Sequence, residues 1–572
     1  MKQFTNPVTR QDYPDVDVIR VDDTYYMVST TMHYMPGGVI LRSYDLVNWE
    51  IATYLYDILE DTPAQRMEDG LNIYGAGMWA PTLRYHKGTF YVLFVANDTH
   101  KTYLFTSEKI EGPWQRREIS GFYHDASLLF DDDDRVYIVY GGMKIYITEL
   151  KADLSGPKKG GLHRMIIQDI GDVSLGYEGS HFYKINGYYY VFLIHWYASG
   201  TKRRVEACYV SDSLEGTFIG RDVLDDDMGY RNAGVAQGGI VDTPDGRWYA
   251  MLFQDSGAVG RIPVLVPVRF ERNFPVFGAD GKAPREVPVE STRPDYVYEP
   301  LITDGDFLEE IKESEDLYSG VGENTEDDRK NHSGYYRGDD RKEYSGVHRE
   351  DDRKNLSPDF GREDYRIYHS SIPERGTPVP GMKLKKPWQW NHIPDPAFYE
   401  FPKPDVLRIT AGTLSRSLNE ARNTLTQRTI FPGCCMEVTV DGSDLKCGDF
   451  AGLAAFMGQY GMIALTREED GFYIAALTRK RGRFVYFAKD EEIERVPSPG
   501  EKVRFRMTTD FHTGTDEAVF EYETEEGWKQ IGPPKQLYYT LDHFVGCRGA
   551  LYCYATRETG GTAEFSEFKY IV

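Results

Sequence analysis

The first half of the chain carries a hydrophobic pattern that returns five times. Each copy runs from a turn with Gly or Asp into aromatics and then aliphatics. The copies are Asp23-Thr-Tyr-Tyr-Met-Val, Gly88-Thr-Phe-Tyr-Val-Leu-Phe, Asp134-Arg-Val-Tyr-Ile-Val-Tyr, Gly187-Tyr-Tyr-Tyr-Val-Phe-Leu and Gly246-Arg-Trp-Tyr-Ala-Met-Leu. A further short strand precedes each one, so every copy reads as strand, turn, strand. They recur at intervals of roughly 45–65 residues, and a four-stranded β-propeller blade takes about 40–50. Five blades are therefore expected, with a long loop around Tyr56–Ile73 where the first interval is widest.

The pattern breaks between Tyr298 and Phe307. From Ile311 to about Tyr365 the chain is polar and charged, and Asp327-Asp-Arg-Lys recurs at Asp339 and Asp351. So few aliphatics bury too little apolar surface to offset ordering entropy, and the segment reads as a solvated, flexible insertion. Alternation resumes at Gly381. Short strands are expected near Leu407–Thr410, Cys435–Val440, Ala451–Met457, Phe472–Leu477, Phe484–Phe487, Val503–Thr508, Ala518–Tyr522 and Ala550–Tyr554. Their Gly and Pro punctuation predicts a β-sandwich. The expected division is a propeller over 1–297 and a sandwich over 298–572 that carries the insertion at 311–365.

Composition adds exclusions rather than a function. Aromatics make up 14% of the 572 residues, which suits strands and tight turns over long helices. A net charge of −24 argues against nucleic acid as a partner. The N-terminal segment has no apolar run resembling a secretory signal, and no stretch is long and apolar enough for a membrane helix. The six cysteines form no CxxC pair and no metal-ligand spacing. A cytoplasmic protein with reduced thiols is expected, with homo-oligomerisation left open.

The candidate chemistry lies just ahead of each repeat. Roughly ten to twelve residues before the repeat's tyrosine stand Asp15, Trp79, Asp125, Glu178 and Gln237. The innermost strand of a blade lines the propeller axis, so these five would ring one mouth of the channel. Taken singly, an Asp before a strand is an ordinary turn former. Three carboxylates at one address suit acid/base cleavage of a glycosidic bond.

These residues resemble glycoside hydrolase family 43. The likeness rests on Asn6-Pro7, Pro14-Asp15, Met35-Pro-Gly-Gly-Val39, Gly77-Met-Trp-Ala-Pro81, Asp125-Ala-Ser127 with Asp131–Asp134, and Glu178-Gly-Ser-His181. Trp388–Asp395 and Ala421–Arg428 are similar to the C-terminal sandwich of that family's β-xylosidases. The resemblance implies an all-β chain, a five-bladed β-propeller followed by a concanavalin-like β-sandwich. It implies Asp15 as general base, Glu178 as general acid and Asp125 as the residue that tunes and orients the acid. An inverting pair would stand roughly 6.5–9.5 Å apart to admit water. Trp79 would wall the sugar, Arg261 would reach its hydroxyls, and Met32, His33 and Tyr34 would shape the terminal pocket. A sandwich loop, Asp510–Asp516, would shorten the cleft with Phe511 as plug. Gln237 stands where many relatives have a His linked to calcium, which puts a bound ion in doubt; no cofactor is required. The implied activity is exo-release of xylose from xylo-oligosaccharides or arabinoxylan fragments. An α-L-arabinofuranosidase is the near alternative, and a non-catalytic sugar-binding propeller the remote one.

Overall fold

A computed structural model describes residues 2–311, 379–479, 489–512 and 514–572. Most of the charged insertion and the strand expected at Phe484–Phe487 lie outside these residues. Nearly all regular structure is β.

Five four-stranded antiparallel sheets form the propeller. Their innermost strands are Asp17–Val21, Met78–His86, Ser127–Phe130, Val173–Ile185 and Val235–Asp242. Each neighbours the next, and the fifth neighbours the first. Every pair of adjacent blades shares its own apolar cluster; Val18, Met27 and Leu41 of blade one, for example, meet Val241, Met251 and Leu265 of blade five. The ring is closed by the start of the chain. Lys2–Thr5 pairs with Glu286–Val289, and the Asn6 amide exchanges two hydrogen bonds with the Leu265 backbone, at 2.9 and 3.0 Å.

The aromatic-aliphatic runs read from the sequence are the second strand of each blade: Thr24–Ser29, Thr89–Ala96, Val136–Gly142, Tyr188–Tyr197 and Trp248–Asp255. Neighbouring blades pack against both of their faces, so the sequence shows an apolar run instead of alternation.

The C-terminal part packs two large sheets face to face. One sheet ends in a strand borrowed from the propeller. Tyr34–Met35, from the first propeller blade's loop, pairs with Gln389–Asn391 as its edge. The sandwich core likewise takes in Ala258, Val259 and Ile262 of the propeller. Propeller and sandwich form one compact unit.

A buried carboxylate pins this seam. Asp12 Oδ1 accepts the Arg261 backbone N–H at 2.7 Å, and Oδ2 accepts the Gly546 N–H at 2.8 Å. The Asp12 carbonyl accepts from Arg428 Nε at 2.9 Å. Asp12→Ala strands two buried donors at once, for an expected loss of about 2–4 kcal/mol. Chemical denaturation should show that loss, with a smaller one for Asp12→Asn; equal stability of all three proteins would remove Asp12 from this role.

Candidate active site

Each blade carries one backbone device in or just before its inner strand. Asp15, Ala80, Asp125, Gly179 and Gln237 all have left-handed φ, at 52°, 28°, 48°, 64° and 60°. Three of the five inner strands also shift register at this point, the sign of a β-bulge. Aligning the blades on this residue reveals three successive layers. The preceding position holds Pro14, Trp79, His124, Glu178 and Ala236. The left-handed position itself holds Asp15 and Asp125. Two residues further in come Asp17, Thr82, Ser127, His181 and Gly239.

That inner layer plugs the axis. Asp17 is fully buried; its Oδ2 accepts from Thr82 Oγ1, Leu83 N and Arg84 Nη1 at 2.9, 2.9 and 2.6 Å. Burial pushes the Asp17 carboxyl up, but Arg84 and His181 outweigh it and hold the group well below the usual carboxylate range. Arg84 continues to Ser127 Oγ at 2.7 Å and the Leu128 carbonyl at 2.8 Å. Blades one, two and three are thereby fixed relative to one another beneath the mouth.

Above the plug the three candidate acids converge. Asp15 is buried, and its Oδ1 accepts from Arg261 Nη1 at 2.7 Å. Asp125 is 6% exposed, and its Oδ2 accepts the Gly179 N–H at 3.1 Å, one residue from Glu178. Burial raises the Asp125 carboxyl, His124 pulls it down, and the charges of Glu178 and Asp15 push it up again, leaving it raised to about 7. The Glu178 side chain keeps a quarter of its surface exposed. His124, which the sequence reading passed over, lies between these two carboxyls. Its Nδ1 is 3.6 Å from Asp125 Oδ1, and its Nε2 is 3.6 Å from Glu178 Oε2. The Asp125 charge, aided by Glu178 and Asp15, raises the His124 imidazole above its ordinary value despite burial.

The walls of the site come from both sheets systems. Trp79 stands 6.1 Å from the His124 ring and 5.4 Å from the Phe544 ring, centroid to centroid. Phe544 belongs to the sandwich and also lies 4.7 Å from the Arg261 guanidinium. Met32 and Tyr34 back this cluster, both almost fully buried. Several buried polar atoms around the acids have no protein partner among the described residues: Trp79 Nε1, Arg261 Nε and Nη2, and Tyr539 Oη. Buried donors rarely stay unpaired, and a polyhydroxylated ligand supplies the acceptors they lack.

Two of the expected residues are placed elsewhere. Phe511 is fully buried in the sandwich core, its N–H donated to the Pro432 carbonyl at 2.8 Å, and faces no cleft. Phe544 takes the position expected of it. His33 is also fully buried, within ring contact of Tyr34, Tyr74, His392 and His543, and burial holds its imidazole well below the ordinary value. It supports the pocket from behind. Gln237 donates its N–H to the buried Glu206 carboxyl at 2.7 Å, while its side chain packs over Gly179.

His124, Asp125 and Glu178 place ligand atoms within 4.8 Å of one another, and no other such trio occurs among the described residues. The imidazole between the two carboxyls already supplies their counter-charge, so we assign no metal to them.

Residues 4–274 match the family description "Glycosyl hydrolases family 43", and residues 381–571 match "Beta xylosidase C-terminal Concanavalin A-like domain". The chain belongs to glycosyl hydrolase family 43. A β-xylosidase of Formosa agariphila is 30% identical over 48% of this chain and 51% of that relative. A non-reducing end α-L-arabinofuranosidase of Bacteroides ovatus is 28% identical over 49% of this chain and 54% of the relative. The chain thus spans about half the length of the curated relatives it matches. Among solved structures, a bifunctional GH43-CE protein of Bacteroides eggerthii aligns with a TM-score of 0.79 at 36% identity, over 100% of this chain and 64% of that one.

The left-handed turn makes one substitution diagnostic in this family 43 site. A Cβ on Gly179 would lie 2.7 Å from Gln237 Cδ, at a φ of 64° that costs an L-residue roughly 1–2 kcal/mol. Gly179→Ala should fold, yet lose on the order of 100-fold in kcat as Glu178 and the Asp125 hydrogen bond shift. Wild-type turnover would show that the turn does not position the acids.

Proposed function

We propose that this chain is an inverting exo-glycoside hydrolase that releases xylose from the non-reducing end of β-1,4-xylo-oligosaccharides. The observation that carries the reading is the convergence of Asp15, Asp125 and Glu178 at one mouth, under a lid made by Trp79 and Phe544.

Each acid has a distinct environment for a distinct task. Asp15, paired with Arg261, is the general base: the guanidinium holds its carboxyl in position to take a proton from water. Glu178 is the general acid that protonates the departing glycosidic oxygen. Asp125 stays close to both and restrains Glu178 through the Gly179 N–H. The orphan donors of Arg261, Trp79 and Tyr539 bind the hydroxyls of the terminal sugar. Carboxylate chemistry of this kind needs no cofactor.

The Phe544 loop supports exo-action. It reaches from the sandwich to within ring contact of Trp79 and packs on Arg261, so the cleft admits a chain end. The names of the relatives favour a pentose in that pocket, xylose first and arabinofuranose second. Side-by-side rates on nitrophenyl β-xyloside and α-L-arabinofuranoside decide the order; a faster arabinoside reverses it.

Glu178→Gln removes the proton that the leaving group needs. Turnover of xylobiose should fall by about 100- to 10,000-fold, and that of nitrophenyl xyloside much less, because nitrophenolate departs unprotonated. Asp15→Asn should silence both substrates alike. Unchanged rates for either variant would remove that residue from the mechanism.

A further inference from the structure

We propose that His543 is a positioning residue for the pocket and an acid-sensitive latch: its neutral ring holds the 537–547 loop, and with it Phe544, against Trp79, and a charged ring lets the loop go. The role lies outside the chemical step and does not depend on which sugar is cleaved.

Two successive residues of this loop face opposite ways. Phe544, at a left-handed φ of 58°, turns to Trp79 and Arg261. His543 turns back into the seam and is 1% exposed. Its ring stacks on Tyr74, from the long loop between blades one and two, with centroids 3.9 Å apart and ring planes 2° apart. Phe456 of the sandwich lies 5.6 Å away and His33 of the propeller 5.9 Å away, ring to ring. Tyr74 is itself fixed: its Oη donates to the Asn419 carbonyl at 3.1 Å and accepts from Asn391 Nδ2 at 2.7 Å. The ring of His543 thus keys the loop into an aromatic block that both halves of the chain build. On its outer side the loop meets solvent, where Leu541 is exposed.

An imidazole is poorly matched to this seat. Both His543 nitrogens are buried without a hydrogen-bond partner among the described residues. A neutral ring leaves one N–H unmet there, and a charged ring would strand two. The neighbours offer no acceptor. His392 takes the Ile73 N–H on Nε2 at 3.0 Å, which turns its Nδ1–H to Asn391 Oδ1. Asp542, next to His543 on the same loop, is held by Arg479 Nη1 at 2.6 Å. The other titratable groups against the ring are Tyr74, whose hydroxyl is engaged, and His33, whose two nitrogens are equally unpartnered among the described residues. Burial pushes the His543 imidazole down to about 3; the Asp542 charge pulls it up, and Arg479 opposes that pull.

Held in the seam the ring stays neutral, whereas in a released loop it takes a proton at its ordinary value of 6.5. The closed loop is therefore fully favoured above pH 6.5 and loses ground as pH falls from there toward about 3. Over that window the open-to-closed ratio rises about tenfold per pH unit. Release takes Phe544 off Trp79 and Arg261, so acid removes one wall of the pocket.

Amide hydrogen exchange of the full chain tests the latch. The reporters are the Phe544 N–H, which donates to the Thr540 carbonyl at 3.0 Å, and the Gly546 N–H, which donates to Asp12. After correction for intrinsic exchange, their protection in wild type should fall about 20-fold between pH 7 and pH 5. His543→Phe keeps a ring to stack on Tyr74 but cannot take a proton. Its protection at pH 7 should match or exceed wild type and change less than about twofold down to pH 5. His543→Gln, with neither ring nor charge, should be less protected at both pH values and show the same flat profile. A wild-type profile as flat as that of His543→Phe, or a 20-fold fall that persists in both variants, would overturn the proposal. Exchange is read without substrate, so either result leaves the hydrolase reading standing.

Discussion

All five blades place one left-handed residue in or just before the inner strand, and the whole site depends on it. A strand of ordinary geometry alternates its side chains between two faces and would bring one residue per blade to the axis. The left-handed residue breaks that alternation and lets two successive side chains reach the mouth. Blade three contributes His124 and Asp125, and blade four contributes Glu178 followed by a glycine that leaves room for Gln237. Such conformations strain any residue other than glycine, and the fold accepts them at Asp15 and Asp125, where the chemistry is concentrated.

Placing so many acids together has an electrostatic consequence that the neighbours absorb. Arg261 meets Asp15, His124 meets Asp125 and Glu178, and Arg84 meets Asp17 below. Arg261 and Arg84 each meet a carboxylate of another blade, and His124 lies between Asp125 of its own blade and Glu178 of the next. The Arg261 backbone is fixed by Asp12, which also holds Gly546 and with it the loop bearing Phe544. One carboxylate at the seam thus ties the partner of Asp15 to the loop over the pocket. The sandwich is part of the site through this link and through the edge strand Tyr34–Met35 that it takes from the propeller.

The sequence made the architecture legible because the repeat is a packing requirement. Each blade's second strand is buried on both faces, so its aromatic-aliphatic run had to recur. Asp15, Asp125 and Glu178 stood out as carboxylates ahead of those runs, although the structure places Glu178 one residue earlier than the other two relative to the turn. That offset hid His124, which sits beside Asp125 and looks like a turn residue until the blades are aligned on backbone φ. Phe511 and Phe544 both lie in sandwich loops, and nothing local separates them. Only the tertiary course shows Phe511 turning into the core and Phe544 turning to Trp79. The pairing of Tyr34–Met35 with residues more than 350 positions away leaves no local trace either.

The central claim is that Asp15 and Glu178 act across one bond in a single displacement. Proton NMR of the sugar first released from a β-xyloside, recorded before mutarotation, tests it most directly. The account predicts α-xylose as the initial product; β-xylose appearing first would mean a covalent intermediate and contradict it.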